Sequence, residues 1–195
     1  MKKNIIFSLL VVIIAVLLFS QFGKEYNVYI RAVEMWESGK YEKAINELLQ
    51  KSDVNSYQTT VLIMEVATDW FNYDPSFKTQ APLLIMGSKE KMDGFKSQVS
   101  ITREQVNSCS EKVKSDDKAE SVQAQIDLII LAHNDKTGFA AYALSQLYKK
   151  GIRGKKYEGL ASVWELTTYQ LINDSLDRME EKPDVLQEDK VATNL

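Results

Sequence analysis

Between Ala140 and Trp164 the chain reads AAYALSQLYKKGIRGKKYEGLASVW, and this spacing constrains the fold more than any other feature. Ala140, Leu144 and Tyr148 recur at every fourth residue, Gly151 interrupts, and Tyr157, Ala161 and Trp164 resume a helical period. Two amphipathic helices folded back on one another satisfy that pattern. The alanines let the backbones approach, while Leu144, Tyr148 and Trp164 fill the seam. Gly151 suits the left-handed position that closes a helix, since it has no Cβ to clash.

The same logic applies at the other end of the chain. Val28, Ala32 and Met35 form one helical stripe, Ser38-Gly39-Lys40 a turn, and Tyr41, Ala44 and Leu48 the returning stripe. A third helix is expected within residues 52–74. Asp53 or Asn55 is its expected cap, and Val61, Met64, Ala67, Thr68 and Phe71 are its period. Pro75 ends it by pushing the preceding residue out of the helical region. Residues 76–100 lose the pattern, and an irregular connection with one short helix is expected there. Thr102 with Gln105 resembles a capping box. Ser115-Asp116-Asp117 opens a further helix reaching His133, with Val122, Ile126, Ile129 and Ile130 as its buried stripe. Beyond Trp164 the last helix continues through Leu166, Tyr169, Leu171 and Ile172.

The C-terminal spacing resembles the Sel-one-like repeat, a helix-turn-helix relative of the tetratricopeptide repeat. Ala140, Leu144, Ser145, Tyr148, Gly151, Ala161 and Trp164 fall on that family's positions in order. Two positions depart from it: Tyr157 stands where the long turn usually carries an acidic residue, and Thr168 where an alanine is usual. Gly39, Tyr41, Ala44 and Leu48 are similar to the second half of a tetratricopeptide repeat. The expected fold class is therefore all-α: a short α-solenoid of helix-turn-helix repeats, preceded by one transmembrane helix.

That last element is read from MKKNIIFSLLVVIIAVLLFSQFG. Two lysines precede an apolar run from Ile5 to Phe19 broken only by Ser8, which is the layout of an export signal. Small residues are badly placed for cleavage, since Leu18 or Gln21 would occupy the outer position of each candidate site. The run is long enough to span a bilayer, and the lysines favour a cytoplasmic amino terminus. An uncleaved anchor is thus preferred over a cleaved peptide. The organisation expected is an anchor at residues 1–23, a repeat domain at 24–177 and an acidic tail at 178–195. The bulk of the chain would lie on the outer side of a bacterial inner membrane.

A net charge of −3 argues against nucleic acid as a partner. One cysteine, Cys109, excludes an intramolecular disulfide, and its neighbours Ser108, Ser110, Glu111 and Lys112 offer it no base. One histidine, His133, cannot build an ordinary zinc site with a single cysteine. No phosphate loop, dinucleotide fingerprint or serine elbow occurs. Glu65 and Asp69, four apart on one helix, are the remaining catalytic pair. Lys149, Lys150, Arg153, Lys155 and Lys156 surround the C-terminal turn, where they suit anionic lipid, an acidic partner or plain solvent.

The resemblance implies an adaptor or scaffold of the cell envelope that binds a protein or peptide, without catalysis and without a small-molecule cofactor. Helical geometry assigns the contact surface to Tyr142, Gln146, Lys149 and Lys150, with Tyr29 and Arg31 on the first hairpin. Two alternatives stay open. One is an envelope enzyme, or an enzyme-regulating subunit, acting on cell-wall polymer through Glu65 and Asp69. The other is a structural membrane subunit whose anchor does the work.

Overall fold

The computed structural model describes residues 27–74, 84–85, 87–88, 91 and 101–180, with the side chains of 179 and 180 excepted. Those residues are helical apart from turns and one isolated bridge, Ile152 with Lys155. The helices are α1 (27–37), α2 (Tyr41–Lys51), α3 (Tyr57–Tyr73), α4 (Arg103–Lys112), α5 (Lys118–Asn134), α6 (Phe139–Lys150) and α7 (Glu158–Glu180). Among the described residues no helix is long and apolar enough to cross a membrane. The expected anchor, residues 1–23, lies outside them, as does most of the connection before Ile101.

Local chemistry sets most helix ends. The capping box at Thr102 is complete: its hydroxyl accepts from the Gln105 amide at 3.2 Å, and Gln105 Oε1 accepts from the Thr102 amide at 2.9 Å. Asp117 caps α5 by accepting from the Ala119 and Glu120 amides. α3 stops at Tyr73, and Asp74 ahead of Pro75 is extended. Its start differs from expectation. Ser56 takes the cap, accepting from the Thr59 amide, whereas Asp53 closes a local turn by accepting from Asn55.

α3 occupies the centre, against α2, α5 and α7. A helix covered on several sides has no single apolar stripe. Thr60, Leu62, Val66 and two carboxylates are therefore buried beside Val61 and Ala67, while Met64 and Thr68 are half-buried and Phe71 is exposed. α6 and α7 form the most extensive helix pair. Ala140, Leu144, Ser145, Tyr148, Ala161, Trp164 and Thr168 are all buried there. Gly151 closes α6 at φ 101° and ψ 143°. That is positive φ as expected, yet the extended kind that only glycine adopts freely, not the left-handed helical kind. α7 runs to Glu180, past the boundary at 177 that composition suggested.

Candidate functional site

The turn between α6 and α7 docks on the turn between α1 and α2. Arg153, at φ 47°, directs its guanidinium into three partners: Nε donates to Glu37 Oε1 at 2.5 Å, Nη1 to Ser121 Oγ at 2.7 Å, and Nη2 to Gln125 Oε1. Lys155 reaches across the same seam. Its ammonium donates to the Trp36 carbonyl at 2.9 Å and lies 3.5 Å from Asp69 Oδ2. The rings of Tyr157, Tyr41 and Trp36 surround it at 4.8, 5.2 and 5.9 Å. Aromatic faces attract a cation through their quadrupole. Burial still pulls the ammonium below the usual lysine range, and Asp69 opposes that shift. Two of the five cations that sequence placed around this turn are thus internal fasteners, whereas Lys149, Lys150 and Lys156 are exposed.

The carboxylate pair divides. Glu65 is 2 % exposed, with Trp164 Nε1 donating to Oε1 at 2.9 Å and Tyr148 donating to Oε2 at 3.1 Å. Burial pushes its carboxyl up to about 8, although both hydrogen bonds act against the rise. Asp69 accepts from Trp36 Nε1 at 2.8 Å and alone of the pair reaches a cleft. That cleft, about 660 Å³, opens between the two joined turns and the end of α3, where Gly39, Tyr41, Asn72, Tyr73, Tyr157 and Gly159 line it. Gly159 is required: a Cβ there would stand 2.7 Å from the Asn72 Cβ. A substrate in the cleft would meet Asp69 but not Glu65, so the two do not form a facing acid and base.

A second surface lies on α7. Val163, Leu166, Tyr169, Ile172 and Leu176 follow one another along the helix, each 39–63 % exposed. Tyr142 of α6, 51 % exposed, shares a cavity of about 490 Å³ with Ile172, Phe139 and Ile101. Leu166, Tyr169, Ile172 and Leu176 share about a third of the helix circumference, whereas Val163 stands opposite Ile172. Single exposed apolar residues are ordinary, and a group of this kind on one face is less so. The helix also carries Glu165, Asp174, Asp177 and Arg178 over this stretch, and Arg103 lines the cavity beside Tyr142 and Ile172.

Of the residues assigned to a contact surface, Tyr142, Lys149 and Lys150 are exposed and Gln146 is half-buried, all on α6. Arg31 is exposed but holds Glu47 at 2.8 Å. Tyr29 is 3 % exposed and its hydroxyl meets Ser56 and Thr59, so it presents no surface. The apolar run on α7 was in the sequence as a continuing helix, with nothing to distinguish its outer from its inner face. Among the described residues no group of His, Cys, Asp and Glu is placed to hold a metal ion. Burial raises the Cys109 thiol, which disfavours the thiolate a nucleophile needs. His133 lies edge-on to Trp164 at 4.8 Å in the last turn of α5. Compared with protein-family models, curated proteins and solved structures, the chain matches none.

Proposed function

We propose that this chain is a membrane-anchored adaptor of the cell envelope, built from tetratricopeptide- and Sel-one-like hairpins, that holds a partner protein against α7. The exposed apolar group Leu166, Tyr169, Ile172 and Leu176 carries the reading. In stacked helical hairpins the last helix keeps an apolar face unless another element covers it. Carboxylates outnumber cations on this part of α7, with Glu165, Asp174 and Asp177 against Arg178, which favours as the cover an amphipathic helix whose apolar face is flanked by lysine or arginine. Tyr142 adds an aromatic anchor beside Ile172, which keeps the α6 surface in the contact. The anchor rests on the apolar run of residues 1–23 and the lysines before it.

Catalysis on cell-wall polymer has less support, because Glu65 is closed off from the cleft that Asp69 lines. Photo-cross-linking in the native host tests the adaptor reading. A photoreactive residue at Tyr169 should give one discrete adduct, mapping to an apolar segment flanked by basic residues. The same group at exposed Lys114 on the α4–α5 turn should give none. Equal labelling from both positions, or an adduct on an acidic segment, contradicts the proposal.

A further inference from the structure

The cleft between the joined turns has no part in docking on α7, and its chemistry points elsewhere. We propose that it is a binding site for a short, uncharged saccharide. Its volume, about 660 Å³, is that of a small-ligand pocket. Its charges cancel locally. Glu37 is held by Arg153 at 2.5 Å, Asp69 by Lys155 at 3.5 Å, and Lys156 stands near Glu158 in the chain with opposite sign. Such a wall has no Coulomb preference for an anion or a cation.

What remains is aromatic and hydroxylated. Tyr73 contributes an open ring, with buried Tyr41 and Tyr157 behind it, and Asn72, Lys156 and Glu158 contribute donors and acceptors. A sugar ring has the matching duality, with an apolar C–H face for an aromatic ring and hydroxyls that both donate and accept. Tyr73 is 75 % exposed, with its ring 5.7 Å from that of Tyr41, so much of it stays open to stacking. Tyr157 backs the cleft from the core side: it is 1 % exposed, and its buried hydroxyl has no hydrogen-bond partner among the described residues. Buried hydroxyls are normally paired, so this one is left for a group that the described residues do not supply. A peptide fits less well, since each ring ends in a hydroxyl and the described residues offer no strand edge to extend. The site binds and does not cut, because Glu65 is sealed away and Asp69 is committed to Trp36 and Lys155.

Calorimetric titration of the full chain with triacetylchitotriose, cellotriose and maltotriose tests this, with a neutral tripeptide as comparator. At least one saccharide should bind in the millimolar range or tighter. Tyr73→Ala should weaken it about tenfold, the loss of one ring contact, and Tyr73→Phe should keep most of the affinity. Tyr73 is exposed enough that both variants should melt with the parent. Leu166→Asp on α7 should leave saccharide binding unchanged, which separates this site from the adaptor face. The inference is overturned if none of the three binds at roughly 10 mM. Binding that ignores Tyr73→Ala overturns it too, as does a tripeptide that binds more tightly at Tyr73.

Discussion

Trp164 donates its indole N–H to Glu65 at 2.9 Å, and Tyr148 donates its hydroxyl to the other oxygen of the same carboxyl. These two aromatics occupy the positions that the repeat-like spacing makes prominent. They do more than fill a seam. They are the solvation shell of a carboxyl at the centre of the molecule, and they tie α6 and α7 to α3.

That arrangement makes stability depend on pH. The Glu65 carboxyl is raised from its ordinary value to about 8, so between those limits the folded chain keeps a proton that the unfolded chain has lost. Its contribution is full below the unfolded pKa and is lost as pH rises toward 8. The slope is about 1.4 kcal/mol per pH unit. Glu65→Gln should flatten it, because an amide does not titrate while its oxygen can still accept from Trp164. Urea melts from pH 5 to 9 should show the variant more stable than the parent at the alkaline end. Parallel pH profiles would refute the assignment.

The hairpin itself predicts an order of effects. Trp164→Ala should cost about 3–5 kcal/mol. Trp164→Phe should cost about 1–3 kcal/mol, because one Glu65 oxygen loses its donor. Ala161→Leu should cost about 1–3 kcal/mol by overpacking. Gly151→Val should cost about 1–3 kcal/mol or more, from its positive φ and from a Cβ 3.2 Å from the Lys155 carbonyl oxygen. Thermal melts near the parent for both Trp164→Ala and Ala161→Leu would mean that α6 and α7 are not packed as described.

Arg153 should behave as a three-way fastener. Arg153→Ala should cost about 3 kcal/mol, because Glu37 is 16 % exposed and loses its partner. Arg153→Lys should cost nearly as much, since an ammonium cannot match a planar fork that serves Glu37, Ser121 and Gln125 together. A fully stable lysine variant would show that one charge suffices.

What the sequence disclosed was local. The period of α6 and α7, the capping box at Thr102 and the stop before Pro75 all follow from neighbours within a turn or two. In the sequence Glu65 is legible only as half of a carboxylate pair with Asp69, because its donors, Tyr148 and Trp164, sit on helices far along the chain. Arg153 and Lys155 resembled a solvated turn because Glu37, Asp69 and Trp36 are equally remote. Tyr29 was placed outward by helical geometry, yet Ser56 and Thr59 supply polar partners on the inner side, where a tyrosine hydroxyl is satisfied without water. The role of Trp36 is illegible in the sequence for a related reason: its indole N–H needs a buried acceptor, and Asp69 becomes one only in the folded chain.

The anchor has its own test. A reporter fused after Leu195 should be active outside the cytoplasm, and the chain should keep its full mass in the membrane fraction. Loss of about twenty residues, the usual length of an export signal, with release into the soluble fraction, would overturn the anchor and leave the α7 surface unaffected.

If α7 is a docking face, the yield of the Tyr169 adduct depends on Leu166, and the Leu166→Asp background measures that dependence. Leu166 is 63 % exposed, so aspartate there should leave the melting temperature within error of the parent. It should nevertheless abolish the adduct, by placing a charge on the apolar ridge. An adduct of undiminished yield from a normally folded Leu166→Asp chain would mean that α7 is not a docking face.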